Sequence, residues 1–416
     1  MKAVPSISSE PSLADVRGHP SMTGAMPTAW SGVFAMSLCV FALIASEFMP
    51  VSLLTPIASQ LRITEGMAGQ GVAMSGAFAV LASLSIAALS RNVNRKTLLL
   101  GLTAVMCLSG AVVGLAQDYK TYLIGRALIG LVVGGFWSMS AATAMRLVPL
   151  AEVPRALAIF NGGNALATIV AAPLGSYLGA MVGWRGAFLA LVPVGVLVLI
   201  WQWISLPDMP TRSLQAQRSA NVFRLLHHRV VRLGMLATAL FFAGQFMLFT
   251  YLRPFLESVT HVEVATLSLV LLGVGVSGFV GTSVIGRLLR FGLYRALAII
   301  PLVMATIAAA LVAFGDRLGA VFPLLALWGL VATAAPVGWW SWVARTMPDD
   351  AEAGGGLSVA VIQLAIAGGS TLGGVLYDTS GHGAAFLVSA ALLVAASGTA
   401  VLCARVPQHI SGRADV

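Results

Sequence analysis

A single carboxylate interrupts the first long apolar run of the chain. It is Glu47, in Ser46-Glu47-Phe48-Met49-Pro50, with no lysine or arginine within one helical turn. A carboxyl held out of water can take up and release a proton near neutral pH, and proton-coupled transport requires that chemistry. The competing reading is a helix-end glutamate that reaches external water. Pro50 beside it loosens the helix, a feature common in membrane helices. The second such charge is Arg126, in Leu123-Ile124-Gly125-Arg126-Ala127-Leu128-Ile129-Gly130, about one turn inside another apolar run. Gly130, Gly134 and Gly135 follow it and offer a small-residue face for close helix contact. Arg126 either acts electrostatically on a carboxylate, with Glu47 the candidate, or satisfies backbone carbonyls; the sequence leaves both open. Ionisable groups at membrane depth are costly and usually mark pathways or proton relays.

Uncharged polar groups in apolar runs form a second set. Asn161 and Asn164 are spaced i,i+3 and share a helix face. Gln245 and Phe249 are i,i+4 neighbours, and Gln363 lies in a later run. Lipid cannot satisfy an amide, so each faces another helix or a cavity. Phe136, Trp137 and Trp339 add aromatic faces, read either as cavity lining or as core. Amides together with stacking rings suit a nucleobase, but equally a sugar or a lipophilic drug.

These residues need elements that cross a membrane. Of the 416 residues, 58% are hydrophobic and 9% charged, where a soluble domain carries about 25% charged residues. Lipid is therefore the solvent for most of the chain. The apolar residues come in continuous runs, which excludes an alternating β-barrel. Twelve segments are predicted: about 30–54, 69–89, 97–116, 122–145, 156–179 and 187–204, then 233–255, 265–288, 296–315, 321–344, 355–376 and 384–403. The predicted organisation is a disordered tail (1–29), a six-helix half (30–204), a basic linker (205–232), a second six-helix half (233–403) and a tail (404–416). With both tails inside, 18 lysines and arginines fall inside and 5 outside, so the positive-inside rule places both termini in the cytoplasm. The same bias explains the net charge of +9 without nucleic acid. Two six-helix halves about a cytoplasmic linker is the plan of transporters that rock around a central site.

Enzyme chemistry finds no support. The six histidines lie in tails or loops, and there is no His-Glu-x-x-His or Gly-x-Ser-x-Gly motif. Cys39, Cys107 and Cys403 are scattered through apolar segments and form neither a disulfide framework nor a metal site. No cofactor is expected beyond the proton as coupling ion. Asp118, Glu257, Glu263, Asp316 and Asp378 fall in loops and read as solvated surface; Arg253 is counted among the outside charges.

Specific motifs extend this reading. Arg126-x3-Gly130-x3-Gly134 resembles the fourth-helix arginine motif of major facilitator antiporters. Ala171-Ala172-Pro173-Leu174-Gly175-Ser176, followed by Gly183-Trp184-Arg185, resembles their fifth-helix motif, with Ala172-Pro173 in place of Gly-Pro. Between the second and third helices, Arg95-Lys96 is kept from the family's loop motif, while Arg91, Asn92 and Asn94 stand where Asp, Arg and Gly are expected. The acidic member of that cytoplasmic gate is missing. Longer runs, including Glu47 to Pro56, Gly135 to Ser140, Phe242 to Phe246 and Val359 to Ala365, resemble nucleoside-exporting members of the drug:proton antiporter-1 family. The resemblance implies an all-α major facilitator fold of twelve helices in the inner membrane, functioning as a monomer. It implies export of purine ribonucleosides such as inosine and guanosine in exchange for protons. Glu47 and Arg126 would then couple the proton; Phe136, Trp137, Asn161, Asn164, Gln245, Phe249, Trp339 and Gln363 would be the solute-site candidates. Arg95, Lys96, Pro173 and Gly175 would belong to the gating motifs. Sugar or drug export within the same family is the alternative.

Overall fold

Length against bilayer thickness decides how the chain is threaded. The structure, a computed structural model, describes residues 29–89, 93–149, 152–209, 225–347 and 351–406. All but the last residue of the predicted N-terminal tail, most of the linker, most of the C-terminal tail, and Arg91 and Asn92 lie outside these. Helices α1 (Trp30–Leu61), α2 (Glu65–Leu89), α3 (Arg95–Gly114), α4 (Tyr119–Leu147) and α5 (Val153–Ser205) make the first half. Helices α6 (Arg229–Phe249), α7 (Leu252–Ser258), α8 (Val264–Arg290), α9 (Leu293–Phe314), α10 (Leu318–Thr346) and α11 (Ala351–Ala404) make the second.

Among the described residues ten stretches are long and apolar enough to cross a membrane, two of them 51 residues long. At 1.5 Å per residue such a helix would be about 77 Å long, more than twice a bilayer core of about 30 Å. Each is broken by a left-handed glycine, Gly183 at φ 75° in α5 and Gly381 at φ 79° in α11, a conformation side chains disfavour. The contacts show that both reverse there. Ile159 early in α5 and Trp201 late in it both reach the start of α1, bonding Ser37 and Ser31. Gly179, near the break, meets Leu53. In α11, Ser358 and Cys403 both bond the start of α6, at Met235 and Val230, while His382 packs on Phe255. Each long helix thus doubles back at its glycine, and the described residues are consistent with the twelve predicted segments. Several helices outrun their apolar segments: α1 continues to Leu61, past the predicted end near residue 54.

Each half has its own apolar core. The first centres on Val40, Leu43, Val132, Phe136 and Phe160, the second on Phe241, Leu271, Met304, Trp328 and Trp342. A third cluster lies at the end of the bundle that carries the two glycine breaks, here the turn end, and crosses between the halves: Leu53, Tyr122 and Trp184 pack with Tyr251. The opposite end, where α1 and α6 begin, is the linker end.

Candidate functional site

Two prolines in α1 organise the site. A helix proline removes the amide that would bond the carbonyl four residues earlier, and an unsatisfied carbonyl in lipid costs several kcal/mol. Pro50 frees the Ser46 carbonyl. Arg126, wholly buried on α4, supplies the missing donor: Nη1 donates to Ser46 O at 2.8 Å, Nη2 to Glu47 O at 2.9 Å and Nε to Gly71 O at 3.1 Å. The guanidinium therefore bonds the backbone of Glu47, and its side-chain bonds serve carbonyls on α1 and α2. It enters α4 about two turns from Tyr119, deeper than the one turn expected. Gly130 and Gly134 bring α4 this close to α2, because a Cβ on either would strike the carbonyl oxygens of Ser75 and Ala79.

Pro56 repeats the arrangement across the two halves. It frees the Ser52 carbonyl, and Nη1 of Arg253, the second residue of α7, donates to it. Arg253 is 6% exposed and its Nη2 pairs with Glu257 at 2.8 Å. The expectation that Glu257 is a solvated loop charge is thus corrected: it pairs with Arg253 in a short helix that is anchored by a bond to the other half. Asp378 is exposed as expected, yet its carboxylate accepts from Gly66 N, at the start of α2, at 3.0 Å. Thr371 on α11 donates to Gln70 on α2 at 3.1 Å. The halves are thereby joined at the turn end.

Glu47 lies at the inner edge of that seam. It is 6% exposed and α1 runs fourteen residues beyond it to Leu61, so it is not a helix-end carboxylate. Its side chain makes no ion pair among the described residues. Its partner is Gln363 on α11, whose Nε2 donates to Glu47 Oε1 at 3.4 Å. Next to it, Phe48 stacks on Phe246 of α6, ring centroids 5.8 Å apart, and Phe249 meets Phe246 edge-on at 6.0 Å. Two amide oxygens here, Gln245 Oε1 and Gln363 Oε1, are buried without a hydrogen-bond partner among the described residues. An unpaired buried acceptor costs about 1–3 kcal/mol, so each of these oxygens favours a donor.

The other candidates separate from this cluster. Phe136 and Trp339 belong to the packed cores of their own halves, 1% and 3% exposed, and line no opening in this conformation. Trp137 is half-buried against the first core. Asn161 is exposed, its Nδ2 bonded to Leu157 O at 3.0 Å, and Asn164 is half-buried. Asn161 precedes Thr168 by seven residues and so shares its face, which meets α8 at Gly275. Gly175, in the fifth-helix motif, packs on Met49 and Ser52 and lets α5 approach α1 beside Glu47; Pro173 lies inside α5 about half a turn earlier. At the linker end, Asn94 caps α3 through Lys96 N at 2.9 Å and also accepts from Met209 N at 3.2 Å. Arg95 begins α3, its amide donating to Met209 O at 3.3 Å. Asn94, an unexpected residue in the loop motif, ties that loop to the segment of chain leaving α5.

The family model described as Major Facilitator Superfamily matches residues 36–369. A Pseudomonas aeruginosa protein named Transcription regulatory protein OpdE is 61% identical over 379 residues, covering 91% of this chain and 94% of that protein. An Escherichia coli K12 protein named Purine ribonucleoside efflux pump NepI is 40% identical over 382 residues, covering 92% and 95%. Among solved structures, a bacterial homologue of the human lysosomal transporter Spinster, in an inward-facing and unoccupied conformation, matches with a TM-score of 0.73 at 16% identity, covering 92% and 96%.

Proposed function

The chain belongs to the Major Facilitator Superfamily and is a multi-pass membrane transporter of small molecules rather than an enzyme; from that premise we propose that it exports purine ribonucleosides from the cytoplasm in exchange for protons. The observation that carries the reading is the contact between Glu47 of the first half and Gln363 of the second. A proton on Glu47 alters a bond between the two bodies that must rock, so one titration can bias both solute affinity and conformation. The relative named as a purine ribonucleoside efflux pump, 40% identical over most of both chains, supports the solute class. The two unpaired amide oxygens and the Phe48–Phe246 stack are suited to a planar heterocycle with N–H donors.

In this reading the protein lies in a bacterial inner membrane with both termini cytoplasmic, which the distribution of lysine and arginine supports. The turn end is then periplasmic, and the conformation described is closed on that side. Solute enters from the cytoplasm with Glu47 ionised. After the halves rock, Glu47 takes a periplasmic proton and solute leaves; return of the protonated form brings the proton inward. Arg126 holds the α1 backbone beside Glu47 through this cycle. The Arg95–Lys96 loop and the Pro173–Gly175 approach shape the two ends as they move. The protein acts as a monomer and needs no cofactor.

A counterflow panel tests the solute class. In proteoliposomes loaded in turn with inosine, an arabinose-like sugar or a lipophilic cation, counterflow of the same solute added outside in labelled form should be seen for inosine and not for the other two. Counterflow by a sugar or a lipophilic cation alone would move the assignment to those solutes. A second reading, a sensor with a transporter fold and no flux, is favoured by one observation, the name Transcription regulatory protein OpdE on the 61% identical relative. Absence of counterflow for every solute in reconstituted, gradient-holding vesicles would favour it.

A further inference from the structure

A neutral solute carries no net charge for Glu47 to attract, and a proton there can also act through a neighbouring group that touches the solute. Gln363 has the geometry for it. Its amide has a donor end, Nε2, on the Glu47 carboxylate at 3.4 Å, and an acceptor end, Oε1, buried with no partner among the described residues. An ionised carboxylate is acceptor-only, so it fixes the amide this way round. A protonated carboxyl carries an O–H that needs an acceptor, and a turn of the amide brings its otherwise unpaired oxygen to that O–H. We infer that protonation of Glu47 turns the Gln363 amide over, so that the end facing the solute changes from hydrogen-bond acceptor to donor. This inference rests on the nucleoside–proton reading and supplies its coupling step.

The consequence is a switch of polarity. With Glu47 ionised, Gln363 Oε1 accepts from a ring N–H of a purine base. With Glu47 protonated, Nε2 stands there and opposes that N–H, so the solute is released. No covalent bond of the solute is broken; the proton comes from water and returns to it. Arg126 is the charged group that faces Glu47, and it is held on the Ser46, Glu47 and Gly71 carbonyls; Tyr122 lies near enough to Arg126 to feel its charge. Around the carboxylate, α5 contributes Gly175 against Met49, α6 the Phe246 ring against Phe48, and α11 Gln363 itself. Exchange of a made hydrogen bond for a donor–donor contact lowers affinity on the order of tenfold.

The test is inosine binding to the purified full chain on the acid and alkaline sides of neutrality, compared with 1-methylinosine, which lacks the N1–H donor. Infrared spectra of the same samples follow the protonated Glu47 carboxyl, identified by its loss in Glu47→Gln. The wild type should bind inosine about tenfold more tightly at alkaline pH, and Gln363→Met and Gln363→Asn should bind it with no pH dependence while Glu47 still titrates. The Glu47 carboxyl band should also shift in both variants, because the acid has lost its acceptor. Retention of the wild-type pH ratio by either folded variant, or an equal ratio for 1-methylinosine in the wild type, overturns the switch. If the wild type binds no inosine at either pH, the nucleoside reading fails instead. The infrared band then decides the switch alone: a shift supports the Glu47–Gln363 bond in the protonated state, and an unmoved band overturns it.

Discussion

The bond from Arg253 to the Ser52 carbonyl exists because Pro56 leaves that carbonyl without a helix donor. Pro56→Ala restores an amide at position 56, and the Ser52 carbonyl returns to the α1 ladder. The value of the Arg253 bond should then fall. A hydrogen bond from a charged group contributes about 1.5–3 kcal/mol, so with Pro56 present Arg253→Ala should favour opening of the turn end by about ten- to a hundredfold. In the Pro56→Ala background the same substitution should cost about 1–2 kcal/mol less, a coupling within the range of contacting pairs. Arg253→Ala also strands Glu257, whose Oε1 accepts from Arg253 Nε at 2.8 Å, but that loss occurs in both backgrounds and cancels in the cycle. The assay is pulsed electron resonance between spin labels at Met67→Cys and Thr379→Cys, exposed positions on the two halves at the turn end, with the native cysteines replaced. The fraction of separated labels gives the opening equilibrium for the four members of the cycle. Equal effects of Arg253→Ala in both backgrounds, within about 0.5 kcal/mol, would refute the argument that Pro56 creates the docking point.

Three further expectations follow from the same contacts. Arg126→Ala should lower the melting temperature, at a cost of about 1–3 kcal/mol for a buried carbonyl left without its donor, and Pro50→Ala in that background should recover part of it, since residue 50 regains an N–H for the Ser46 carbonyl; thermal unfolding in detergent reads both. Arg126→Lys should fall between, because an ammonium cannot span the three carbonyls that the guanidinium fork reaches. Asp118 caps α4 through Thr121 N at 2.9 Å and Thr121 Oγ1 at 2.8 Å, and these bonds hold its carboxyl below the usual carboxylate range. A depressed folded value stabilises above the unfolded value, about 3.9, and is lost as pH falls through the folded one. The stability difference between wild type and Asp118→Asn, followed by circular dichroism, should therefore be present near neutrality and vanish at the lowest pH.

Most of the architecture is written in the apolar runs, because a bilayer demands continuous stretches of them. The reversals at Gly183 and Gly381 coincide with short polar interruptions, Gly183-Trp184-Arg185 and Asp378 to His382. Glu47 and Gln363 are recognisable as polar groups in apolar runs, but their contact links residues 316 positions apart and no local pattern encodes it. Arg253 and Glu257 escape a sequence reading because they sit at the edge of an apolar segment, where burial and solvation look alike. A signal does exist: α1 contains two prolines, each freeing one carbonyl, and the chain must supply a donor for each. Phe136 and Trp339 stay open between lining and core in the sequence because an aromatic in an apolar run has the same sequence character in a core as at a cavity wall.

The measurement that bears most directly on the central claim is uptake of labelled inosine into inside-out vesicles containing the purified protein, with and without an acidic lumen, for the wild type and Glu47→Gln. Uptake that depends on the gradient in the wild type and is lost in Glu47→Gln is the predicted result. Gradient-driven uptake at the wild-type rate in Glu47→Gln would contradict the account by removing Glu47 from the coupling, and absence of inosine uptake in gradient-holding wild-type vesicles would contradict the nucleoside assignment.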